Sequence, residues 1–309
     1  MAVGTLMAGA VFTLGAGSVA PVHIHSLMDF SGTVRSSPLA RLCADRGRDE
    51  IYVLESNGVK VFNAFGMEVF RFEYDADLGA VRDIAVDAGG DIFLLCDRPG
   101  NGDGRDPYIA RCNYRGEPLE EIGLKGLPGH AKELSPDTLA LRADRFVLAS
   151  QDRMKAAEFR RDGSFERSWD LAEIAGLAGQ DRASAGLGGF SVGGDGSLFF
   201  TIPSAFRAYV VAPDGTVRAF GRPGSAPGMF GIVWGIVRGE DGTIWVADRL
   251  RAVIIGFDAD LRLVTEIGGG AGQPNYLDGP ANLLVGAAGK LYVTQVGGRG
   301  ISVFATRPS

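Results

Sequence analysis

The chain has 309 residues and a formal net charge of −6, and 46% of its residues are hydrophobic while 22% are charged. This composition excludes a disordered chain, because enough apolar side chains are present to build a packed core. Lys and Arg never occur in runs longer than two, so no basic stripe is available to neutralise a phosphate backbone and nucleic acid is not expected as a partner.

The first twenty residues form a charge-free, largely apolar segment that ends in Ser18-Val19-Ala20, a small-x-small triplet of the kind that precedes signal cleavage. We therefore expect export and an extracytoplasmic location, periplasmic or secreted, with residues 1–20 as signal peptide and residues 21–309 as one domain. A cytoplasmic or anchored protein is the alternative, since Lys and Arg are missing from the segment. No stable membrane span is expected, because the segment is Gly-rich and barely long enough to cross a bilayer.

The three cysteines allow at most one internal disulfide. If Cys96 and Cys112 lie on the two arms of a hairpin, their thiols are separated by roughly 13 Å, beyond disulfide reach. We predict three buried thiols that behave as small hydrophobic residues.

Six copies of one unit then follow each other along the chain. Each copy contains a short segment of β-branched and aromatic residues and, after a loop, a second segment that often ends in an aromatic residue. The first segments are residues 51–53, 92–94, 146–148, 198–200, 244–246 and 291–293. The second segments are residues 59–62, 108–112, 156–159, 209–212, 253–257 and 301–304.

Two further strands complete the unit. An apolar stretch precedes each first segment and is predicted to be the innermost strand, at residues 39–44, 84–86, 138–141, 190–192, 236–237 and 283–285. Outer strands follow Asp-Gly turns, as at residues 165–169 and 217–220. Four short antiparallel strands per unit are the blade of a propeller, so the sequence predicts an all-β, six-bladed β-propeller.

The last unit lacks its outer strand, because only five residues follow Phe304. Residues 22–30 have the length of a strand and no role in the first unit. If they pair with residues 301–304, the N-terminal strand completes the last blade and closes the ring, which removes an open sheet edge.

The units resemble NHL repeats, most clearly in the fifth, where an apolar strand and the Asp241-Gly242 turn precede Ile-Trp-Val-Ala-Asp at residues 244–248 and a strand that ends in Phe257. The resemblance covers roughly residues 38–305 and is specific for the fold. It leaves the function open, because similar propellers serve as scaffolds, sensors, lactonases and lyases.

Topology indicates where a site would lie. The connections between the second and third strands, and those from the outer strand to the next blade, emerge on the same side, which we call the loop face. The long connections lie there, at residues 97–107, 123–134, 171–187, 221–231 and 268–279. Ligand or partner contact is expected on this face, with Arg41, Arg82 and Trp234 as candidate binding residues near the channel mouth.

Three oxygen-bearing side chains, Asp83, Asp137 and Asn282, are predicted at equivalent starts of innermost strands. Such side chains could hold Ca²⁺ or another divalent metal, an arrangement similar to the metal site of gluconolactonase-like propellers. That family also uses a Glu, and none occupies such a position here. The alternative is that these are ordinary channel-lining residues.

Weaker patterns have simple structural explanations. Residues 101–106 carry calcium-type side chains without EF-hand spacing, which favours a surface loop. His23 and His25 could face one side of a strand and bind zinc, but only His130 remains as a third histidine, so an edge strand is favoured. Trp234, Met229 and Phe230 could form an apolar anchor on the loop face, but burial between blades is favoured.

Three hypotheses follow. The first is a non-enzymatic binding or scaffold propeller that docks a protein or a small ligand through its loop face. The second is a metal-dependent lactonase or lyase that uses Asp83, Asp137 and Asn282, and the third is a subunit of an extracytoplasmic assembly. No Gly-x-Ser-x-Gly, His-Glu-x-x-His or Walker A motif is present, so no catalytic residue is assigned. The enzyme hypothesis is therefore less favoured than the binding hypothesis.

Overall fold

The computed structural model describes residues 21–34, 40–99, 105–129, 134–268, 272 and 275–306. Six four-stranded antiparallel sheets are arranged as the blades of a propeller. The innermost strands are β2 (Arg41–Asp45), β6 (Ala80–Val86), β10 (Thr138–Arg142), β14 (Gly189–Val192), β18 (Val233–Arg238) and β22 (Pro280–Val285). The second strands are β3 (Glu50–Glu55), β7 (Ile92–Pro99), β11 (Arg145–Ser150), β15 (Leu198–Ile202), β19 (Ile244–Asp248) and β23 (Lys290–Gln295).

The outer half of each blade follows in the same order. The third strands are β4 (Gly58–Phe62), β8 (Arg105–Cys112), β12 (Lys155–Arg160), β16 (Arg207–Val211), β20 (Val253–Phe257) and β24 (Ile301–Ala305). The outer strands are β5 (Glu68–Glu73), β9 (Pro118–Gly123), β13 (Phe165–Asp170), β17 (Val217–Phe220) and β21 (Leu263–Ile267), and in blade 6 this place is taken by β1 (Val22–Ser26). The predicted six-bladed fold and its closure by the N-terminal strand are confirmed.

The closing strand β1 pairs antiparallel with β24, with Val22 opposite Ala305 and Ser26 opposite Ser302. Beyond β1 the chain runs beside blade 1, where the Met28 amide donates to the Gly66 carbonyl at 2.8 Å. Lys290 in blade 6 donates to the Asp49 carboxylate of blade 1 at 2.8 Å. The first and last blades are therefore joined by backbone pairing and by side-chain contacts.

The core consists of apolar clusters at the seams between neighbouring blades. In the described residues there are six such clusters, one for each seam. The aromatic ends of the third strands pack there: Phe159 and Phe304 have no solvent exposure. Each fully buried side chain of this size contributes about 1.5–3 kcal/mol, so the seams hold the blades together.

Short turns join strands on the side opposite the loop face. Gly242 and Gly215 follow an Asp in these turns and have φ of 85° and 87°, a conformation that glycine adopts without strain. The Asp241 carboxylate accepts from the Thr243 amide at 3.0 Å. The Asp-Gly pairs thus form the predicted turns.

Two connections that were predicted as loops on the loop face contain regular secondary structure. Strands β7 and β8 continue to Pro99 and from Arg105, so much of the predicted loop at residues 97–107 is hairpin. The connection after blade 3 contains α1 (Leu171–Ile174) and α2 (Gly179–Ser184), and 3₁₀ turns occur at Ala76–Leu78, Pro203–Ala205 and Ala287–Gly289. Among the helices that the structure describes, none has the length and apolar character needed to span a membrane.

The cysteines are free thiols in the structure; Cys96 and Cys112 are buried as predicted, whereas Cys43 is half-buried. Cys96 lies opposite Tyr108 and Cys112 lies opposite Ile92, as the predicted hairpin register requires. Burial raises the pKa of Cys96 to about 12 and that of Cys112 to about 11. Both residues therefore serve as packing groups and not as reactive thiolates.

Candidate functional site

In blades 1 to 4, one residue of the innermost strand lies opposite the residue that follows the apolar triplet of the second strand. In blades 5 and 6 the register is irregular at this level, and Gly235 and Asn282 lie within the irregularity. Together these six positions, which we call the mouth ring, surround the channel on the loop face. The mouth ring consists of Arg41, Asp83, Thr138, Gly189, Gly235 and Asn282. Asp83, Gly235 and Asn282 lie next to or within irregularities of strand register. Asp83 and Asn282 are thus equivalent, whereas Asp137 lies one residue before the equivalent position, which Thr138 occupies.

The two glycines bring three innermost strands close together. A Cβ atom on Gly189 would lie 2.7 Å from the Trp234 carbonyl oxygen, and a Cβ atom on Gly235 would overlap the Ala281 carbonyl oxygen. Only glycine permits this backbone approach. The mouth ring is therefore bordered by backbone in blades 4 and 5, and by charged side chains in blades 1 and 2.

The Asp83 carboxylate is 5% exposed and joins blade 2 to blade 3. Its Oδ2 accepts from the Leu139 amide at 2.7 Å, and its Oδ1 accepts from the Ile84 amide at 2.9 Å. Burial raises the pKa of Asp83 to about 6, although Arg41 and these amides oppose the rise. Both oxygens already bind the backbone, so the visible role of Asp83 is to hold a seam.

Asn282 makes the corresponding contact between blade 6 and blade 1. Its Nδ2 donates to the Ala40 carbonyl at 3.0 Å, and its own amide donates to Thr294 Oγ1 at 2.8 Å. Asn282 and Asp83 each contact the next blade around the ring. Their side chains are therefore directed around the channel and not to a common point.

Arg41 and Asp137 form a loose ion pair, with 3.8 Å between Nη2 and Oδ1. Asp137 also accepts from the Gln151 amide at 3.0 Å and from the Thr138 hydroxyl at 2.9 Å. Burial raises the pKa of Asp137, and the bond from Gln151 is the largest opposing effect. The Arg41 guanidinium supplies positive charge between blades 1 and 3.

These contacts are a poor fit to a resident divalent ion. A bound ion would have to displace backbone amides from Asp83 and would lie near the Arg41 guanidinium. Among the described residues no group of three or more His, Cys, Asp or Glu side chains is arranged to hold a metal. Metal ligation by Asp83, Asp137 and Asn282 stays a prediction.

Arg82 belongs to a second charged group at the loop-face end of blade 2. Its Nε donates to the Asp97 carboxylate at 2.8 Å, and Arg105 lies 3.5 Å from the same oxygen. Asp97 is 5% exposed, so two cations neutralise one buried acid. Arg82 holds the β7–β8 hairpin in addition to any role in binding.

Trp234 is the third predicted binding residue, and it stacks with Arg249. The guanidinium carbon of Arg249 lies 4.4 Å from the centre of the Trp234 ring, a cation–π geometry. Both side chains are partly exposed. Within the described part of the chain, no carboxylate forms an ion pair with Arg249.

Two exposed apolar side chains are neighbours of this pair along the backbone. Ile232 is 41% exposed and Leu250 is 68% exposed, and the Arg249 amide donates to the Ile232 carbonyl at 2.9 Å. We call Ile232, Trp234, Arg249 and Leu250 the Trp234 patch. Arg249 was not among the predicted binding residues, and its position directly after the Val-Ala-Asp motif is the one signal of it in the sequence.

Asp248 of that motif anchors the Trp234 patch. It is fully buried and accepts from the amides of Gly231, Ile232 and Arg251 at 2.6, 3.1 and 3.0 Å. A carboxylate with three backbone donors fixes the two loops that carry the patch. The Asp of the NHL-like motif is here a structural residue.

The remaining candidates have simple outcomes. Residues 101–104 and His130 lie outside the described residues. Phe230 has no solvent exposure and packs edge-on against Phe257 at 5.8 Å, which confirms its predicted burial, whereas Met229 and Trp234 are only half-buried. His23 and His25 are on β1, where the rings lie against different surroundings: Phe304 at 5.5 Å for His23 and the Gly66 turn for His25.

Comparison with known proteins supports the class of fold. No protein-family model and no curated protein matches the sequence. Among solved structures, a streptogramin B lyase is 14% identical with a TM-score of 0.53, and the match covers 92% of this chain and 96% of that one. A luciferin-regenerating enzyme is 12% identical with a TM-score of 0.61, covering 93% and 95%.

A third similar structure is described as an auxiliary nutrient binding protein from Bacteroides ovatus. It is 13% identical with a TM-score of 0.58, and the match covers 88% of this chain and 70% of that one. The class is therefore that of the six-bladed β-propellers. At these identities the likeness shows the fold alone, and the neighbours include both enzymes and a binding protein.

Proposed function

We propose that this chain is an NHL-type binding propeller that takes a small anionic ligand at its loop face. The observation that carries the proposal is the Trp234 patch, where the Arg249 guanidinium lies over an indole ring without a carboxylate partner among the described residues. Arg41 and Arg82 are different, because each has an acidic partner. Of these three arginines, Arg249 is therefore the one without an acidic partner among the described residues.

The composition of the Trp234 patch supports a ligand with an acidic group next to an apolar body. A guanidinium binds carboxylate or phosphate through two parallel hydrogen bonds. Ile232 and Leu250 offer exposed apolar surface beside it. Trp and Arg are also the side chains that most often dominate binding energy. The solved structure described as an auxiliary nutrient binding protein has a similar fold, and its description agrees with the proposal of ligand binding.

Benzoate and phenyl phosphate are suitable probes, because each places an anion on an apolar ring. Titration followed by tryptophan fluorescence and melting temperature is expected to show saturable binding. Arg249→Gln removes the charge and is expected to weaken binding about tenfold or more, the usual effect of losing a charge-assisted hydrogen bond. Arg218→Gln is the matched control, since Arg218 is on the outer strand β17.

Two results would contradict the proposal. One is equal binding by the Arg249→Gln variant, and the other is the absence of saturation with both probes. If a protein instead of a small molecule occupies the Trp234 patch, the probes fail while a pull-down with the wild type, but not with Arg249→Gln, recovers a partner. That outcome overturns the small-ligand assignment.

The competing enzyme hypothesis is a metal-dependent lactonase or lyase at the mouth ring. It is supported by the closeness of two acids, Asp83 and Asp137, whose pKa values are both raised, chiefly by burial. Metal analysis of the purified chain, repeated on Asp83→Ala, tests it. Stoichiometric metal in the wild type that is lost in Asp83→Ala would support the enzyme hypothesis. Absence of stoichiometric metal from the wild type would contradict that hypothesis.

Export and membership of an extracytoplasmic assembly are proposals that rest on residues 1–20 and on the exposed loop face. N-terminal sequencing of protein purified from its native cells tests cleavage after Ala20. A start at Met1 would contradict the signal-peptide assignment.

A further inference from the structure

A cavity of about 280 Å³ lies at the loop-face end of blade 3, away from the Trp234 patch on blade 5. Its lining combines small, apolar and charged side chains. The lining residues are Leu134, Lys155, Ala156, Ala157, Ser168, Trp169, Asp170 and Glu173. Cavities that hold drug-sized ligands span about 300–1,000 Å³, so this cavity is at the lower end of that range and suits a small occupant.

A small residue of blade 3 borders the space. Ala157 lies opposite Leu148, the last residue of the apolar triplet in its second strand. The corresponding position in blade 2 is also an alanine, Ala110, whereas blades 4 and 5 carry Tyr209 and Ile255 there. Those larger side chains fill their seams, and Tyr209 stacks on Phe200 with 4.8 Å between ring centres. Ala157 fills less of its seam.

The polarity of the cavity changes along the strands. Lys155 on β12 lies opposite Asp170 on β13 at the loop-face end of these strands. Two residues deeper, Ala157 lies opposite Ser168. Leu134 and Ala157 belong to the apolar cluster between blades 2 and 3. The loop-face end is therefore charged, whereas the deeper part is uncharged and combines the apolar Leu134 and Ala157 with Ser168.

The charged side chains at the open end of the cavity differ in the partners that they already bind. The Asp170 carboxylate caps α1 by accepting from the Glu173 amide, and it also binds Arg182. The Glu173 side chain is exposed and forms no ion pair within the described residues. Lys155 has a contact within the chain, but an ammonium group has three donors and can bind a further acceptor.

We propose that this cavity binds a small zwitterion with an apolar side chain, of the size and chemistry of a neutral aliphatic α-amino acid. The carboxylate of the ligand binds the Lys155 ammonium, and its ammonium group binds the Glu173 carboxylate. The apolar side chain lies against Leu134 and Ala157. One cation and one uncommitted acid at the same opening match a ligand with both charges better than a ligand with one.

Calorimetric titration with L-leucine tests the proposal against two ligands that each carry one charge, 3-methylbutylamine and 4-methylpentanoate. L-leucine is expected to bind with a Kd below about 1 mM, and each single-charge ligand at least about tenfold more weakly. No saturable heat with L-leucine would overturn the proposal. Binding of one single-charge ligand as tight as that of L-leucine would also overturn it.

Two variants locate the site. Ala157→Leu fills the cavity and is expected to abolish binding of L-leucine. Glu173→Gln changes only an exposed side chain, so the fold is preserved, and it is expected to weaken binding about tenfold. Glu240→Gln on blade 5 is the matched control. Unchanged affinity in Glu173→Gln, or in a folded Ala157→Leu, would place any binding elsewhere and refute the assignment. Arg249→Gln should leave L-leucine binding unchanged, which keeps this test independent of the Trp234 patch.

Discussion

At the residue scale, several acidic side chains of this propeller accept hydrogen bonds from backbone amides. The Asp248 carboxylate accepts hydrogen bonds from three backbone amides, and the Asp83 carboxylate accepts two. On the opposite face, the Asp241 carboxylate accepts a hydrogen bond from the Thr243 amide. Each contact satisfies donors that the sharp loops would otherwise leave unpaired. A motif such as Val-Ala-Asp at residues 246–248 is therefore explained by structure without a catalytic role.

Asp248→Ala is expected to lower the free energy of unfolding by about 2–4 kcal/mol, because buried amides of two loops lose their acceptor. Asp248→Asn keeps one acceptor oxygen and should cost less. Urea unfolding measures both changes. Asp181→Ala in the exposed helix α2 is the control and should change stability by less than about 0.5 kcal/mol. Equal effects of Asp248→Ala and Asp181→Ala would contradict the anchoring role.

At the element scale, the closing strand β1 carries two histidines whose Nε2 atoms are buried without a hydrogen-bond partner in the described structure. Burial lowers the pKa of both from the ordinary value of 6.5, and the positive charge of Arg299 near His23 and of Lys290 near His25 adds to this. The neutral rings are thus the form that the closed ring favours. Protonation favours release of β1.

The sign of the pH dependence follows from these shifts. The unfolded chain takes up protons as the pH falls through 6.5, while the folded histidines stay neutral to lower pH, so stability is full above that pH and declines below it. Between about pH 7.5 and pH 5, the melting temperature of the wild type is expected to fall further than that of a His23→Gln, His25→Gln double variant. Hydrogen exchange should locate the loss in β1. Parallel pH profiles for the two proteins would refute the role of these histidines.

At the scale of the whole molecule, ring closure couples the two ends of the chain. Val22 and Ala305 are opposite each other on β1 and β24, so opening the ring separates residues that are far apart in sequence. A covalent link at this position restricts the unfolded chain without adding a new contact to the folded one.

A Val22→Cys, Ala305→Cys pair is therefore expected to stabilise the oxidised protein by about 3–5 kcal/mol over its reduced form. Melting temperature with and without reductant measures the effect. The single Val22→Cys variant is the control, and it should show no dependence on reductant because the native thiols are buried or nearly so. A pair that forms the disulfide but does not raise the melting temperature would show that closure does not limit stability.

Much of the fold was predictable because its signals are local. Strand alternation and Asp-Gly turns act over a few residues, and their sixfold repetition specifies the blades. The missing outer strand after Phe304 and the spare strand at residues 22–30 predicted the closure. The register of Cys96 and Cys112 followed from the same alternation.

The site was less predictable, because it depends on side-chain direction and on contacts between distant blades. Asp137 lies one residue before Thr138, which holds in blade 3 the register position that Asp83 holds in blade 2. The stacking of Arg249 on Trp234 and the space beside Ala157 both arise where separate segments pack together. The sequence by itself determined the blades and their number, since these depend on local backbone preference; the tertiary structure alone decided which charged groups remain available to a ligand, since that depends on which partners packing brings to them.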